Sequence, residues 1–171
     1  MRQNLQQQNG QEFIDKCTAR WLFEKTGVHL YEEAIRKCPK NGPNGMRERL
    51  EEIRDQEKDH EEMLEEVIRS FGADPHQLTK SARITQMESV GIVNVVEKED
   101  FSAVIDALLA AELVDTANWE LLMMLGDSMG GDRFQQFRSR FEEALRHETE
   151  HLRFIRGTIV SWLTGREVMV A

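Results

Sequence analysis

The chain has 171 residues, enough for one domain with a single good core, and its balance of 40% hydrophobic, 31% charged and three prolines points to a soluble helical protein. A net charge of −9 argues against nucleic acid as the main partner, because phosphate binding needs a basic surface. No apolar run approaches the ~20 residues of a membrane span.

Residues 1–10 are rich in Gln and Asn and are expected to be disordered. A first long helix is predicted from about Gln11 to Lys37, stopped before Pro39. Its apolar seam reads Ile14, Cys17, Trp21, Glu24, Val28, Tyr31, Ile35, with Glu24 as the anomaly. Gly27, inside that helix, costs about 1 kcal/mol against alanine and permits a close approach. A turn centred near Asn41 leads to a second helix, with Asn44 as N-cap and Phe71-Gly72 as its end. That seam runs Leu50, Ile53, Glu57, His60, Leu64, Val67, Phe71, and a Glu-x-x-His pair interrupts it at the centre.

Between Gly72 and Asp100 the periodicity loosens, and Asp74-Pro75 predicts a short helix running to about Ser89, before Gly91. This stretch is long enough to cross a bundle end to end, which makes the second and third long helices parallel. The third is predicted from Asp100 or Phe101 to about Ser128, with seam Val104, Leu108, Glu112, Asp115, Trp119, Leu122, Gly126. Gly130-Gly131 makes the next turn and Asp132 caps a fourth helix ending near Thr164-Gly165, which leaves residues 166–171 as a short tail. The fourth seam is Phe134, Phe137, Phe141, Ala144, Glu148, His151, Ile155, Thr158, Trp162. The expected architecture is therefore all-α: two antiparallel helical hairpins in residues 11–165, joined by a long crossover containing a short helix.

The two halves resemble each other. Glu24 is followed seven residues later by Tyr31, and Glu112 by Trp119; Glu57-Lys-Asp-His60 is matched by Glu148-Thr-Glu-His151. Glu112 and Glu148 each lie 18 residues from Gly130, and Glu24 and Glu57 lie about equally far from the first turn. Antiparallel helices bring such mirror positions to one height, so four carboxylates and two imidazoles should converge at mid-bundle. A metal-free network of those groups, even with both imidazoles protonated, leaves uncompensated negative charge in the core. Two divalent cations neutralise four carboxylates, and oxygen with imidazole ligands suits Fe or Mn. A set of one Glu from each of two helices and one Glu-x-x-His from each of the others is the general pattern of di-iron and di-manganese bundles.

On these motifs the chain resembles the ferritin-like superfamily, in its bacterioferritin and rubrerythrin branch, over roughly Glu12 to Thr164. The segment Trp21-Leu-Phe-Glu-Lys-Thr-Gly-Val-His-Leu-Tyr-Glu resembles bacterial ferritin-like proteins of unassigned role. The resemblance implies a ferritin-like four-helix bundle with Glu24 and Glu112 as single-helix carboxylates, Glu57 and Glu148 bridging two metals, and His60 and His151 as terminal ligands. Tyr31 matches a tyrosine near the metals and implies a redox or proton role, and Asp115 matches an alternate carboxylate ligand of rubrerythrins, its other reading being an orienting hydrogen-bond acceptor. Gln56 and His147 stand where bacterioferritins carry an orienting Asp. The implied cofactor is two Fe ions, with Mn or a mixed Mn/Fe pair as the alternative, and the implied function an oxidoreductase reacting with O2 or H2O2, of peroxidase, ferroxidase or catalase type.

Without a Cys-x-x-Cys extension, a rubrerythrin-like turnover needs an external electron donor. Iron storage is the second reading, and a non-catalytic helical scaffold the third. A homodimer is expected from the habits of such bundles. Cys17, on an apolar face, reads as a buried structural thiol; two cysteines and no leader suggest the cytoplasm.

Overall fold

The computed structural model describes residues 2–40, 42–130 and 132–165, and its regular elements among them are all helices. They are α1 (Arg2–Lys37), α2 (Met46–Ser70), α3 (Lys80–Val96), α4 (Phe101–Met129), the single turn α5 (Asp132–Gln135) and α6 (Arg138–Thr164). The chain is all-α, and none of these helices is long and apolar enough to cross a membrane.

Contacts between helices fix their directions. Lys25 meets Glu61 while Gly27 meets Glu57, so α1 and α2 are antiparallel. Trp119 bonds Glu24 and Tyr31 bonds Glu112, which makes α1 and α4 antiparallel as well. Gln56 meets His151 and Glu66 meets Arg140, setting α2 antiparallel to α6. Hence α2 and α4 run parallel, as expected, and the chain recrosses the bundle through α3, which packs along α1 and α4.

Several boundaries differ from the sequence reading. α1 begins at Arg2, so the glutamine-rich start expected to be disordered is helical. α2 is preceded not by an Asn44 cap but by Gly45 in a left-handed conformation (φ 77°) that no L side chain adopts cheaply. The crossover helix starts at Lys80, because Asp74 spends its carboxylate on the His76 N–H and Thr79 caps the Ala82 N–H instead. It then continues through Gly91, since one glycine costs too little to stop a helix. Asp132 lies inside the turn α5 rather than capping the fourth long helix, which starts afresh at Arg138. Trp162, at the end of the predicted seam, is 46% exposed and rests edge-on against Phe101. Asn41, Gly131 and residues 166–171 lie outside the described residues.

α1 faces three neighbours, so its buried surface is wider than one stripe. Phe13, Arg20, Phe23, Leu30 and Ala34 are buried, whereas Ile14, Val28 and Ile35 from the predicted seam are only half-buried.

The core divides into two apolar layers. One holds Leu30, Leu50, Ile53, Val104, Leu108 and Ile155. The other holds Cys17, Leu64, Val67, Leu122 and an aromatic cluster of Phe13, Phe134, Phe141 and Trp119. Cys17 is fully buried, and burial pushes its thiol well above the usual range, as fits a structural thiol. Between the layers lies a polar one.

Candidate metal centre

The polar layer contains every residue the seams single out. Glu24, Glu57, His60, Glu112, Glu148 and His151 are each at most 4% exposed, and Asp115 is 2% exposed. Each Glu-x-x-His pair sits one turn apart on one face, so both side chains point inward together. Their polar atoms form two groups, Glu24/Glu57/His60/Glu148 and Glu57/Glu112/Glu148/His151, in each of which one ligand atom per residue lies within 4.8 Å of all the others. Glu57 and Glu148 belong to both. These buried groups could hold metal ions.

The carboxylate of Glu148 is divided between the two groups. Its Oε1 lies 2.9 Å from Nδ1 of His60, and its Oε2 lies 3.6 Å from Nδ1 of His151. Nδ1 of His151 is also 3.1 Å from Glu57 Oε1, and Nδ1 of His60 is 3.6 Å from Glu24 Oε2. Both oxygens of Glu57 and of Glu148, Oε2 of Glu24 and of Glu112, and both Nδ1 atoms are buried without a properly directed hydrogen bond. Such orphans are costly unless something binds among them. Their chemistry, carboxylate oxygen with imidazole nitrogen, fits a pair of first-row divalent cations.

The outward atoms are satisfied, and in every case by the other half of the chain. Nε2 of His151 meets Gln56 Oε1 at 2.8 Å, and Nε2 of His60 meets Nδ1 of His147 at 3.1 Å. A proton on the outer nitrogen leaves each Nδ1 free as a lone-pair donor, the usual way a protein fixes a metal-binding tautomer. Glu24 Oε1 accepts from the indole N–H of Trp119 at 3.0 Å, and Glu112 Oε1 accepts from the Tyr31 hydroxyl at 2.5 Å. The residues in the place of an orienting Asp thus brace the opposite motif, and the aromatic seven residues after each carboxylate clasps the opposite carboxylate. Sequence spacing shows the repeat; only the packing shows this exchange.

Arg20 is the functional residue that the sequence reading missed. It is 3% exposed, its guanidinium lies over the Phe23 ring, and it holds Glu24 Oε1 at 3.0 Å and Asp115 Oδ1 at 2.8 Å. Asp115 belongs to neither donor group and is placed as an ion-pair partner of Arg20. The available signal was Arg20 at i−4 from Glu24, a spacing more common on solvated helix faces. With Arg20 offset by Asp115, four carboxylates remain for two divalent cations to neutralise.

Titration follows the same crowding. Burial, followed by repulsion from Glu148, pushes Glu57 and Glu112 well above the usual carboxylate range, and burial does the same to Asp115 against the pull of Arg20. Burial would raise Glu148 too, yet the imidazoles of His151 and His60 hold it below that range. Burial alone would lower His60, but Glu148 and Glu24 beside it push it up to about 10. Glu57, Glu112 and His60 therefore bind more protons folded than unfolded, and the stability this provides is lost as pH rises from about 4.5 through about 10. Glu148 acts in the opposite sense, and only below about 4.5. Metal-stripped protein is expected to melt at a higher temperature near pH 5 than near pH 8, and metal loading should abolish the decline. Calorimetry across that range with and without chelator checks it; a chelated protein more stable at pH 8 would contradict it.

Gly27 has the role its position suggested. A Cβ there would press on the Glu57 carboxylate, so the glycine lets α1 approach it without displacing Glu57. Gly27→Ala is expected to displace Glu57 and weaken metal binding by about tenfold or more, an effect on the order of 1.4 kcal/mol. Metal titration measures it, and unchanged affinity would show that Glu57 has room to yield.

No protein-family profile, curated protein or solved structure matches this chain.

Proposed function

We propose that the chain is a ferritin-like di-metal carboxylate protein, an oxidoreductase that reacts with O2 or H2O2 in the manner of a peroxidase or ferroxidase. The observation that carries this reading is the pair of four-residue donor groups sharing Glu57 and Glu148, with unsatisfied lone pairs turned inward and charge that balances at two divalent cations. A scaffold would gain nothing from such a layer, since hydrophobic residues in its place would serve stability as well or better.

Two iron ions, or manganese in their place, would supply the redox equivalents and the Lewis acidity for reducing a small oxidant. The remaining work falls to the chain. Glu57 and Glu148, common to both donor groups, would serve both positions, with Glu24 and His60 completing one set and Glu112 and His151 the other. Tyr31, whose hydroxyl is held above its ordinary range by burial and by Glu112, stays protonated against Glu112 Oε1, and the proposal gives it a redox or proton role beside that carboxylate. The apolar layers on either side exclude bulk water. A cavity of about 200 Å3 between α1, α3 and α4 is walled in part by Arg20, Phe23, Ile84 and Leu122 and by none of the six donor residues.

The test is elemental analysis of protein purified without chelator, followed by stopped-flow oxidation of the anaerobic Fe(II)-loaded form by O2 and by H2O2. About two Fe or Mn per chain and rapid oxidation support the proposal. Bound iron that accumulates far beyond two per chain would favour storage, and a chain that takes up no metal would be a polar-cored scaffold.

A further inference from the structure

We infer that the two cation positions are unequal in affinity: Glu112 and His151 hold the tighter divalent cation, and Glu24 and His60 the weaker one. This rests on the di-metal reading and adds an order to it.

The two outer carboxylates sit in matching places but have different partners. Glu112 Oε1 accepts from a neutral phenol, Tyr31. Glu24 Oε1 accepts from the Trp119 indole and is ion-paired with the Arg20 guanidinium at 3.0 Å. A cation approaching Glu24 must therefore share a carboxylate that a fixed guanidinium, itself shared with Asp115, already holds. Asp115 keeps that charge in place, binding Nη1 of Arg20 at 2.8 Å while contributing to neither donor group. In a buried setting one such charge changes cation affinity by much more than it would in water.

The two imidazoles are otherwise similarly placed. His151 is wholly buried, and its outer nitrogen meets the side chain of Gln56. His60 is 4% exposed, and its outer nitrogen meets His147, which like Gln56 is half-buried and whose ring stacks on that of His60. The cavity beside α3 reaches Arg20, on the Glu24 side of the layer. The ligand class is a first-row divalent cation such as Fe(II) or Mn(II).

Anaerobic titration with Mn(II), counting free ion by electron paramagnetic resonance, tests the inference. Wild type is expected to bind one Mn(II) about tenfold or more tightly than the second. Glu24→Gln should keep the tight ion and lose the weak one, and Glu112→Gln should lose the tight one. Arg20→Gln/Asp115→Asn, a neutral pair of similar shape, should narrow the gap, whereas Arg20→Lys should keep it; circular dichroism confirms that each variant is folded. Two equal sites in wild type, or a tight site that survives Glu112→Gln and is lost in Glu24→Gln, would overturn the inference while leaving the di-metal reading intact. Wild type that binds no Mn(II) and no Fe(II) would overturn both.

Discussion

Replacing Glu57 and Glu148 together by alanine is expected to remove all bound metal while leaving the metal-free fold standing. Each of these carboxylates belongs to both donor groups, so the double change takes two of four donors from each position at once. In the absence of metal Glu57 is a burden, 1% exposed with its carboxyl pushed up by burial and by Glu148, so the double change relieves charge crowding while it costs packing and the contacts of Glu148 to His60 and His151. The metal-loaded protein behaves differently, because a ligand that binds only the folded state adds about 4.1 kcal/mol when present at a thousand times its Kd. Two such ions would raise the melting temperature of a chain this size by on the order of 20 °C. That gap between loaded and chelated protein should collapse in the double variant. Elemental analysis with paired calorimetric scans reads both halves of the expectation; retention of about two metals per chain would sink the assignment of Glu57 and Glu148 as shared ligands.

The second large effect belongs to the apolar layer beside the site. Phe141 is fully buried, edge-on to Trp119 at 5.2 Å and to Phe134 at 5.4 Å, and stacked with Phe13 at 6.1 Å. Phe141→Ala is expected to cost about 3–5 kcal/mol, because three rings lose a neighbour and cannot close the void. For a chain of this length that lowers the melting temperature by roughly 10 °C. The change should also reach the site, since Trp119 carries the N–H that holds Glu24 and loses one of its supports. Trp119→Phe is the informative companion: it keeps most of the ring, removes the N–H, and should loosen the Glu24 position with a smaller loss of stability. Denaturant unfolding and metal titration of both variants check this, and a Phe141→Ala protein within about 1 kcal/mol of wild type would show that the cluster repacks.

Much of the site could be read from the sequence, for a definite reason. A carboxylate in a seam otherwise made of Trp, Phe, Leu and Ile is conspicuous, and the register about each turn places Glu24, Glu57, Glu112 and Glu148 at one height. α4 begins at Phe101, within the start read as Asp100 or Phe101, and the structure adds that the Asp100 carboxylate caps it by accepting from the Ala103 N–H. Arg20 escaped because a single-stripe reading of α1 assumes one packing partner, and this helix has three. The cap of α2 escaped because Asn44 offers a side chain, whereas the chain there uses the backbone freedom of Gly45. Gly126 was visible as a seam position but not explained: a Cβ there would lie 2.4 Å from the Phe134 ring, so the glycine makes room for an aromatic 8 residues ahead. Pairings across the bundle are beyond a one-dimensional pattern, which is why Gln56 and His147 could be located but not given partners.

The exchange of braces between the halves has a consequence for how the protein folds and comes apart. Tyr31 with Glu112, Trp119 with Glu24, His147 with His60 and Gln56 with His151 join residues 81 to 95 apart in the chain. Contacts of such separation carry the largest loop-closure cost and form late, after each hairpin has assembled from local contacts. Interactions absent from the folding transition state govern the rate of unfolding and not the rate of folding. The polar layer therefore works as a latch: cations bound there would lengthen the lifetime of the folded state without hastening its formation, and their loss would shorten it.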